Sequence, residues 1–240
     1  MLLSILPQPR PGGMNPEPSL IEARGLARRN PGAGGWLLDH VSLRVGPGAR
    51  IAVSGPSGSG KTLLLRALAM LDPVDEGELL FQRRPVPRER IPDYRRRVIY
   101  LHQRPALIEA RVEAALRRPF ALAVHRGRSF DRRRIVRMLE HLGRDEGFLD
   151  KPVDELSGGE SQLVALLRAV QLDPSVLLLD EPTAALDPDA SRAVEGLVDD
   201  WFAEQPGVRA VLWVTHDMGQ AERMGSQVLR IDKGKIDDAG

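Results

Sequence analysis

Residues Gly55-Pro56-Ser57-Gly58-Ser59-Gly60-Lys61-Thr62 carry a glycine, four residues, then Gly-Lys-Thr. That spacing is the signature of a phosphate-binding loop. Glycines let the backbone wrap closely, so successive N–H groups point at an anion. Lys61 suits the β- and γ-phosphates, and the Thr62 hydroxyl suits Mg²⁺. Further along, Asp180-Glu181 closes an apolar run. One carboxylate of such a pair can hold Mg²⁺, directly or through water, and the next can orient or activate an attacking water. Leu156-Ser157-Gly158-Gly159-Glu160 opens a helical stretch. Ser157 is a good N-cap, and the glycines expose the first N–H groups, so this is a second anion-binding helix end with no lysine of its own.

These groups need elements to position them. Arg50 to Ser54 reads as a buried strand entering the loop, and Thr62 to Ala69 as the helix leaving it, with Leu63 first after the loop. The helix N-terminus adds its positive dipole end to the phosphate site. Val176 to Asp180 is a fully apolar strand, and a strand's C-terminal end puts Asp180 beside the phosphate loop in an open α/β sheet. Runs at Leu20–Ala23 and Leu38–Val45 predict antiparallel strands, separated by the Gly/Pro loop Asn30–Gly35. Gly77–Phe81, Arg97–Leu101, Val208–Thr215 and Gln227–Ile231 predict further strands, and 110–149 turns helical. The fold class is therefore α/β, with a mostly parallel core sheet. No internal repeat is present.

At 240 residues the chain suits one large domain. We expect a disordered lead-in over residues 1–18, where positions 7–18 hold five prolines and two glycines, with Met14 an alternative start. Residues 19–240 form the domain, with a helical subdomain over about 104–165. The net charge is +1, although the basic residues are 30 Arg and 4 Lys. Aromatics are scarce, so stacking platforms for nucleic acid are missing and no nucleic-acid partner is expected. There is no cysteine, which excludes disulfides, zinc-thiolate sites and iron–sulfur ligation and fits a reducing compartment. No apolar stretch approaches the ~18 residues that span a bilayer.

Taken together, from Leu20 to Asp232 the chain resembles the nucleotide-binding subunit of an ABC (ATP-binding cassette) transporter, a P-loop NTPase with an antiparallel β edge and an α-helical subdomain. Gly55–Thr62 resembles Walker A, Gln103 the Q-loop glutamine, and Leu156–Glu160 the signature. Val176–Glu181 resembles Walker B with its catalytic glutamate, Ala185-Leu186-Asp187 the D-loop, and His216 the switch histidine. The resemblance implies ATP and Mg²⁺ as cofactors, ATP hydrolysis, and a head-to-tail dimer of two copies. Each ATP lies between Walker A of one copy and Ser157–Gly159 of the other. Glu181 polarises the attacking water, His216 contacts the γ-phosphate, Gln103 senses γ-phosphate and Mg²⁺, and Asp187 organises the dimer seam. Thr62, Gln103 and Asp180 serve the metal. An integral membrane subunit is the partner, reached from the cytoplasmic face of the membrane.

Three departures stand out. The family's adenine-stacking aromatic is absent near Arg28-Arg29-Asn30, leaving Trp36 as the nearest candidate or an arginine plane as substitute. Glu160 replaces the commoner glutamine, which is tolerable if its side chain turns away from phosphate. Leu163 follows Gln162 where arginine is more usual. At finer grain, Tyr94–Pro105 and Val211–Asp217 resemble the ATP-binding subunit of the bacterial Fet-type iron exporter, while phosphate-type and amino-acid-type importers share most of the motifs. A soluble ABC ATPase would carry coiled-coil insertions or a second cassette, neither of which is seen. A binding-only regulator is at odds with intact Lys61, Asp180, Glu181 and His216.

Overall fold

The computed structural model describes residues 19–32 and 34–237; the expected lead-in over 1–18 lies outside them. The described chain begins with β1 (Ile21–Arg29) and β2 (Trp36–Val45). Strand β3 (Arg50–Ser54) passes through the phosphate loop into α1 (Lys61–Leu68). Strands β4 (Glu76–Phe81) and β5 (Arg84–Pro85), helix α2 (Ile91–Arg97) and strand β6 (Val98–Leu101) follow. Helices α3 (Val112–Arg117), α4 (Arg132–His141) and α5 (Gly158–Val170) come next. Then come β7 (Val176–Asp180), α6 (Pro188–Glu204), β8 (Ala210–Val214), α7 (Met218–Met224), β9 (Gln227–Asp232) and β10 (Lys235–Ile236).

The core sheet runs β10-β9-β3-β8-β7-β6. Strands β9, β3, β8 and β7 pair in parallel. Every residue of β7 and β8 is buried, as a parallel strand covered on both faces requires. The expected antiparallel edge takes two forms. One is β10 on β9. The other is a separate four-stranded sheet, β2-β1-β4-β5. The first strand is longer than its alternation indicates. The pattern breaks at Gly25, which takes the left-handed φ of 57°, and pairing resumes with Leu26 opposite Val41. Trp36, at the edge of the expected loop, opens β2 opposite Arg29.

Contacts group the chain into two compact units. One holds the described residues up to Tyr100, Ser175–Asp180 and the described residues from Pro206; the other holds Leu101–Pro174 and Glu181–Gln205. The first has a core of buried aliphatics including Ile51, Val53, Leu64, Leu68, Leu178, Leu212 and Ile231. In the second, the expected helical run is broken into α3 and α4 by tight turns over Arg118–His125. Pro119, which cannot donate to a continuing helix, lies in the first of them.

Helix α1 is tethered at its far end. Arg66 grips Asp72 through two hydrogen bonds, at 2.9 and 2.7 Å, and Arg28 of β1 reaches the same carboxylate at 2.7 Å. The Arg66 hydrogen bonds, followed by Arg28, depress the Asp72 carboxyl to about 2. A depressed carboxyl stabilises the fold fully above its unfolded value near 4, and that contribution is lost as pH falls toward 2. Asp72→Asn should therefore lower the melting temperature at pH 7 and flatten its fall between pH 4 and 2, read by thermal melts across pH. Parallel melting curves for parent and variant over that window would refute this.

Candidate functional site

The first compact unit carries the phosphate loop. Gly55 has φ 147°, and a Cβ there would lie 2.1 Å from the Ile231 carbonyl oxygen and 2.9 Å from Ser59 Oγ. Only glycine lets the loop run against β9 in this way. Lys61 is 6% exposed, and its ammonium donates to the carbonyls of Gly55 and Pro56, both at 2.8 Å. The cation is thus already folded over the loop. Gly60 precedes α1 with no side-chain cap, leaving first-turn N–H groups for an anion. Ser59 Oγ is buried without a hydrogen-bond partner. An orphaned hydroxyl beside uncapped N–H groups fits a bound phosphate.

Asp180, 3% exposed at the end of β7, meets this loop. Thr62 Oγ1 donates to Asp180 Oδ2 at 2.8 Å. Tyr100 of β6 donates to the same oxygen at 2.9 Å. Burial and then the Asp180 charge push the Tyr100 phenol up, so it remains a donor. The Thr62–Asp180 pair offers the hard oxygens Mg²⁺ takes. Among the described residues no cluster of three or more His, Cys, Asp or Glu makes a metal cage. Tyr100 escaped the sequence reading because its one signal was a hydroxyl within an apolar strand. His216 follows β8 and is exposed. Its flanks are pinned, since Asp217 N–H donates to Thr215 Oγ1 at 3.0 Å and Asp217 caps α7 through Gln220 N–H at 3.2 Å.

The second unit holds the remaining candidates. Gln103 Nε2 donates to Glu181 Oε2 at 2.7 Å, so these two expected site residues meet. Glu181 has φ 48°, a left-handed backbone rare outside glycine. Gln162, not assigned a role from sequence, donates to the Gln103 carbonyl at 2.9 Å and the Glu181 carbonyl at 3.3 Å. Asp187 caps α6 by accepting from the N–H groups of Asp189 and Ala190 at 3.0 and 2.9 Å.

At the start of α5, Ser157 and Glu160 form a reciprocal capping box, with Glu160 N–H to Ser157 Oγ at 3.1 Å and Ser157 N–H to Glu160 Oε2 at 2.9 Å. Lys151 donates to both Glu160 oxygens at 2.9 Å. Burial alone would raise the Glu160 carboxyl, but Lys151 and the Ser157 N–H outweigh it and hold it below the usual range. The unusual glutamate thus turns back onto its own helix. Ser157 and Gly158 are exposed, whereas Gly159 is buried. A Cβ at Gly159 would meet the Ala185 carbonyl oxygen at 2.8 Å. Close packing against Ala185 therefore requires glycine at this position.

For the nucleobase, the three sequence candidates separate. Arg28 is bound to Asp72. The Arg29 guanidinium lies 4.9 Å from the Trp36 ring centroid, a cation–π pair. His40 packs edge-on against Trp36 at 5.1 Å, held by Asp39 and Glu76.

Residues 38–184 match the profile of the ABC transporter family. The chain belongs to the ABC transporter family. It is an ABC-type ATPase domain, and the cofactors of that domain are ATP and Mg²⁺. It is 36% identical to the sulfate/thiosulfate import ATP-binding protein CysA of Nephroselmis olivacea, over 85% of this chain and 58% of that protein. The chain thus spans little more than half of that relative. It is 37% identical to a probable anion import ATP-binding protein of Haloferax volcanii, over 98% of this chain and 84% of that one. It is 36% identical to the probable iron export ATP-binding protein FetA of Escherichia coli, over 75% and 78%. The fold matches that of an ATP-binding cassette solved as a dimer in a post-hydrolysis state with ADP and Pi, at a TM-score of 0.80 and 24% identity, covering 90% of this chain and 96% of that one. Among the described residues no helix is long and apolar enough to cross a membrane.

Proposed function

We propose that this cassette hydrolyses ATP to power a separate membrane-embedded transporter subunit, through ATP-dependent dimerisation with a second copy of itself at the cytoplasmic face. The observation that carries the reading is the 2.8 Å hydrogen bond from Thr62 to Asp180, which joins the phosphate loop to the Walker B strand. Residues Gly55–Leu63 wrap the phosphates, and Lys61 exchanges its two carbonyl partners for phosphate oxygens. Thr62, Asp180 and Gln103 would hold Mg²⁺, which would supply charge neutralisation at the phosphate oxygens. Glu181 accepts a proton from the attacking water, and His216 steadies the γ-phosphate. Trp36, backed by Arg29, stacks on adenine. Residues 19–240 make up one cassette, with the helical subdomain at about 104–165, and nucleic acid is not a partner.

Dimerisation follows from the exposed helix end at Ser157 and Gly158. It has no lysine, so the Ser157–Gly159 end serves a nucleotide held by the facing copy, with Asp187 at the seam. Glu181→Gln with ATP should elute as a dimer on size exclusion, and the nucleotide-free protein as a monomer. Ser157→Arg should abolish the dimer by crowding the γ-phosphate. A monomer for the trapped variant at high protein concentration would remove the sandwich from consideration.

For cargo, import of a sulfate-type anion is supported by the Nephroselmis and Haloferax relatives. Iron export is supported by the Escherichia coli relative and by the Tyr94–Pro105 and Val211–Asp217 runs. Cellular iron and sulfate uptake, measured in one deletion strain, separate the two: raised iron with normal uptake supports export, and the reverse supports import.

A further inference from the structure

Gln162 is a buried polar side chain on the second turn of α5, with 3% of its surface exposed. Its amide nitrogen donates to the Gln103 carbonyl at 2.9 Å and the Glu181 carbonyl at 3.3 Å. Its amide oxygen accepts from the Ala185 N–H at 3.3 Å. The orientation of the amide is forced, because two carbonyls need a donor and one N–H needs an acceptor. One side chain thus brackets the Q-loop, the last residue of Walker B and the D-loop turn.

The bracket closes on an unusual backbone. Glu181 is left-handed at φ 48° and precedes Pro182, a position where extended conformations are preferred. Such a conformation persists only where its surroundings over-determine it. Here the Glu181 carbonyl accepts from both Gln162 and the Ala184 N–H, the latter at 3.2 Å. The side chains of the two residues that Gln162 holds by their carbonyls then meet each other, Gln103 Nε2 to Glu181 Oε2 at 2.7 Å. All of these contacts lie within the second compact unit.

We infer that Gln162 is a positioning residue: its amide fixes the left-handed backbone at Glu181 and so sets where the Glu181 carboxylate stands against Gln103. This rests on the reading of Glu181 as the group that handles water. It adds a link that the motifs do not contain. The helix whose exposed end is offered to nucleotide and the carboxylate offered to water share one buried amide, so displacement of α5 moves both.

The test uses the full chain with Gln162→Leu, which keeps volume but removes every polar atom, and Gln162→Glu, which keeps an acceptor for Ala185 but loses both N–H donors. Steady-state ATP hydrolysis and equilibrium binding of a fluorescent ATP analogue are measured together. Both variants should lose tenfold or more in kcat, while KM and nucleotide affinity stay within twofold of the parent. An unchanged kcat in either folded variant overturns the inference. So does a kcat loss matched by lost nucleotide affinity or folded fraction, or failure of both variants to fold, since those outcomes assign Gln162 to the fold alone. Glu181→Gln is the control. If it turns over ATP like the parent, the reading of Glu181 fails; if it is inactive while the Gln162 variants are active, only the role of Gln162 fails.

Discussion

Glu181→Gln is expected to bind ATP within about twofold of the parent and to turn it over roughly 10²-fold or more slower, the range that a lost general base spans. The substitution keeps the shape of the side chain and removes its charge. The amide oxygen can still accept from Gln103 Nε2, now 2.7 Å from a carboxylate oxygen. The backbone at φ 48° is held through the carbonyl rather than the side chain, so it should not relax. Phosphate release in single-turnover and steady-state assays, set beside equilibrium nucleotide binding, checks both halves. Turnover at the parental rate would mean that water is handled by another group.

Gly55→Ala should abolish measurable nucleotide binding and lower thermal stability. The added methyl would sit 2.1 Å from the Ile231 carbonyl oxygen, a backbone atom of a core strand, and L side chains rarely adopt φ 147°. Gly58→Ala is the matched control. It also has positive φ, 75°, but nothing lies within 4 Å of its Cβ, so only the left-handed penalty of ~1–2 kcal/mol applies. Calorimetric titration with ATP and thermal melts of both variants separate collision from conformational strain. Equal effects at the two positions would contradict the close approach of the loop to β9.

What could be read from the chain itself follows the reach of each interaction. The phosphate loop, its strand and its helix are contiguous, so spacing and apolar pattern suffice. β7 declares itself by an apolar run ending in carboxylate. Gln162 gives no such signal. Its partners at Gln103, Glu181 and Ala185 are distant in sequence and all three are backbone atoms, which no residue type advertises. The packing constraint on Gly159 is hidden for the same reason, because the atom it accommodates belongs to Ala185. Glu160 is tolerable near phosphate if its side chain turns away, and the Lys151 and Ser157 contacts that turn it are not legible in the residue type. The first strand was cut short at Ala23 because the bulge at Gly25 shifts its alternation.

Strand β3 is flanked by β8 and β9, both from the last part of the chain. The loop it feeds rests on Ile231, and its Ser59 carbonyl accepts from the Gly234 N–H at 2.8 Å. During synthesis at about 5–20 residues per second, the residues that complete the loop emerge roughly ten to thirty-five seconds after the loop itself. Until β8 emerges Ile51-Ala52-Val53 has both edges unpaired, and until β9 follows it has one, a template for wrong pairing with other chains. ATP cannot shield the chain then, because its binding surface is finished last. Mispairing of a nascent cassette of this topology is therefore expected before β8 and β9 dock, and nucleotide can protect only a molecule in which they have docked.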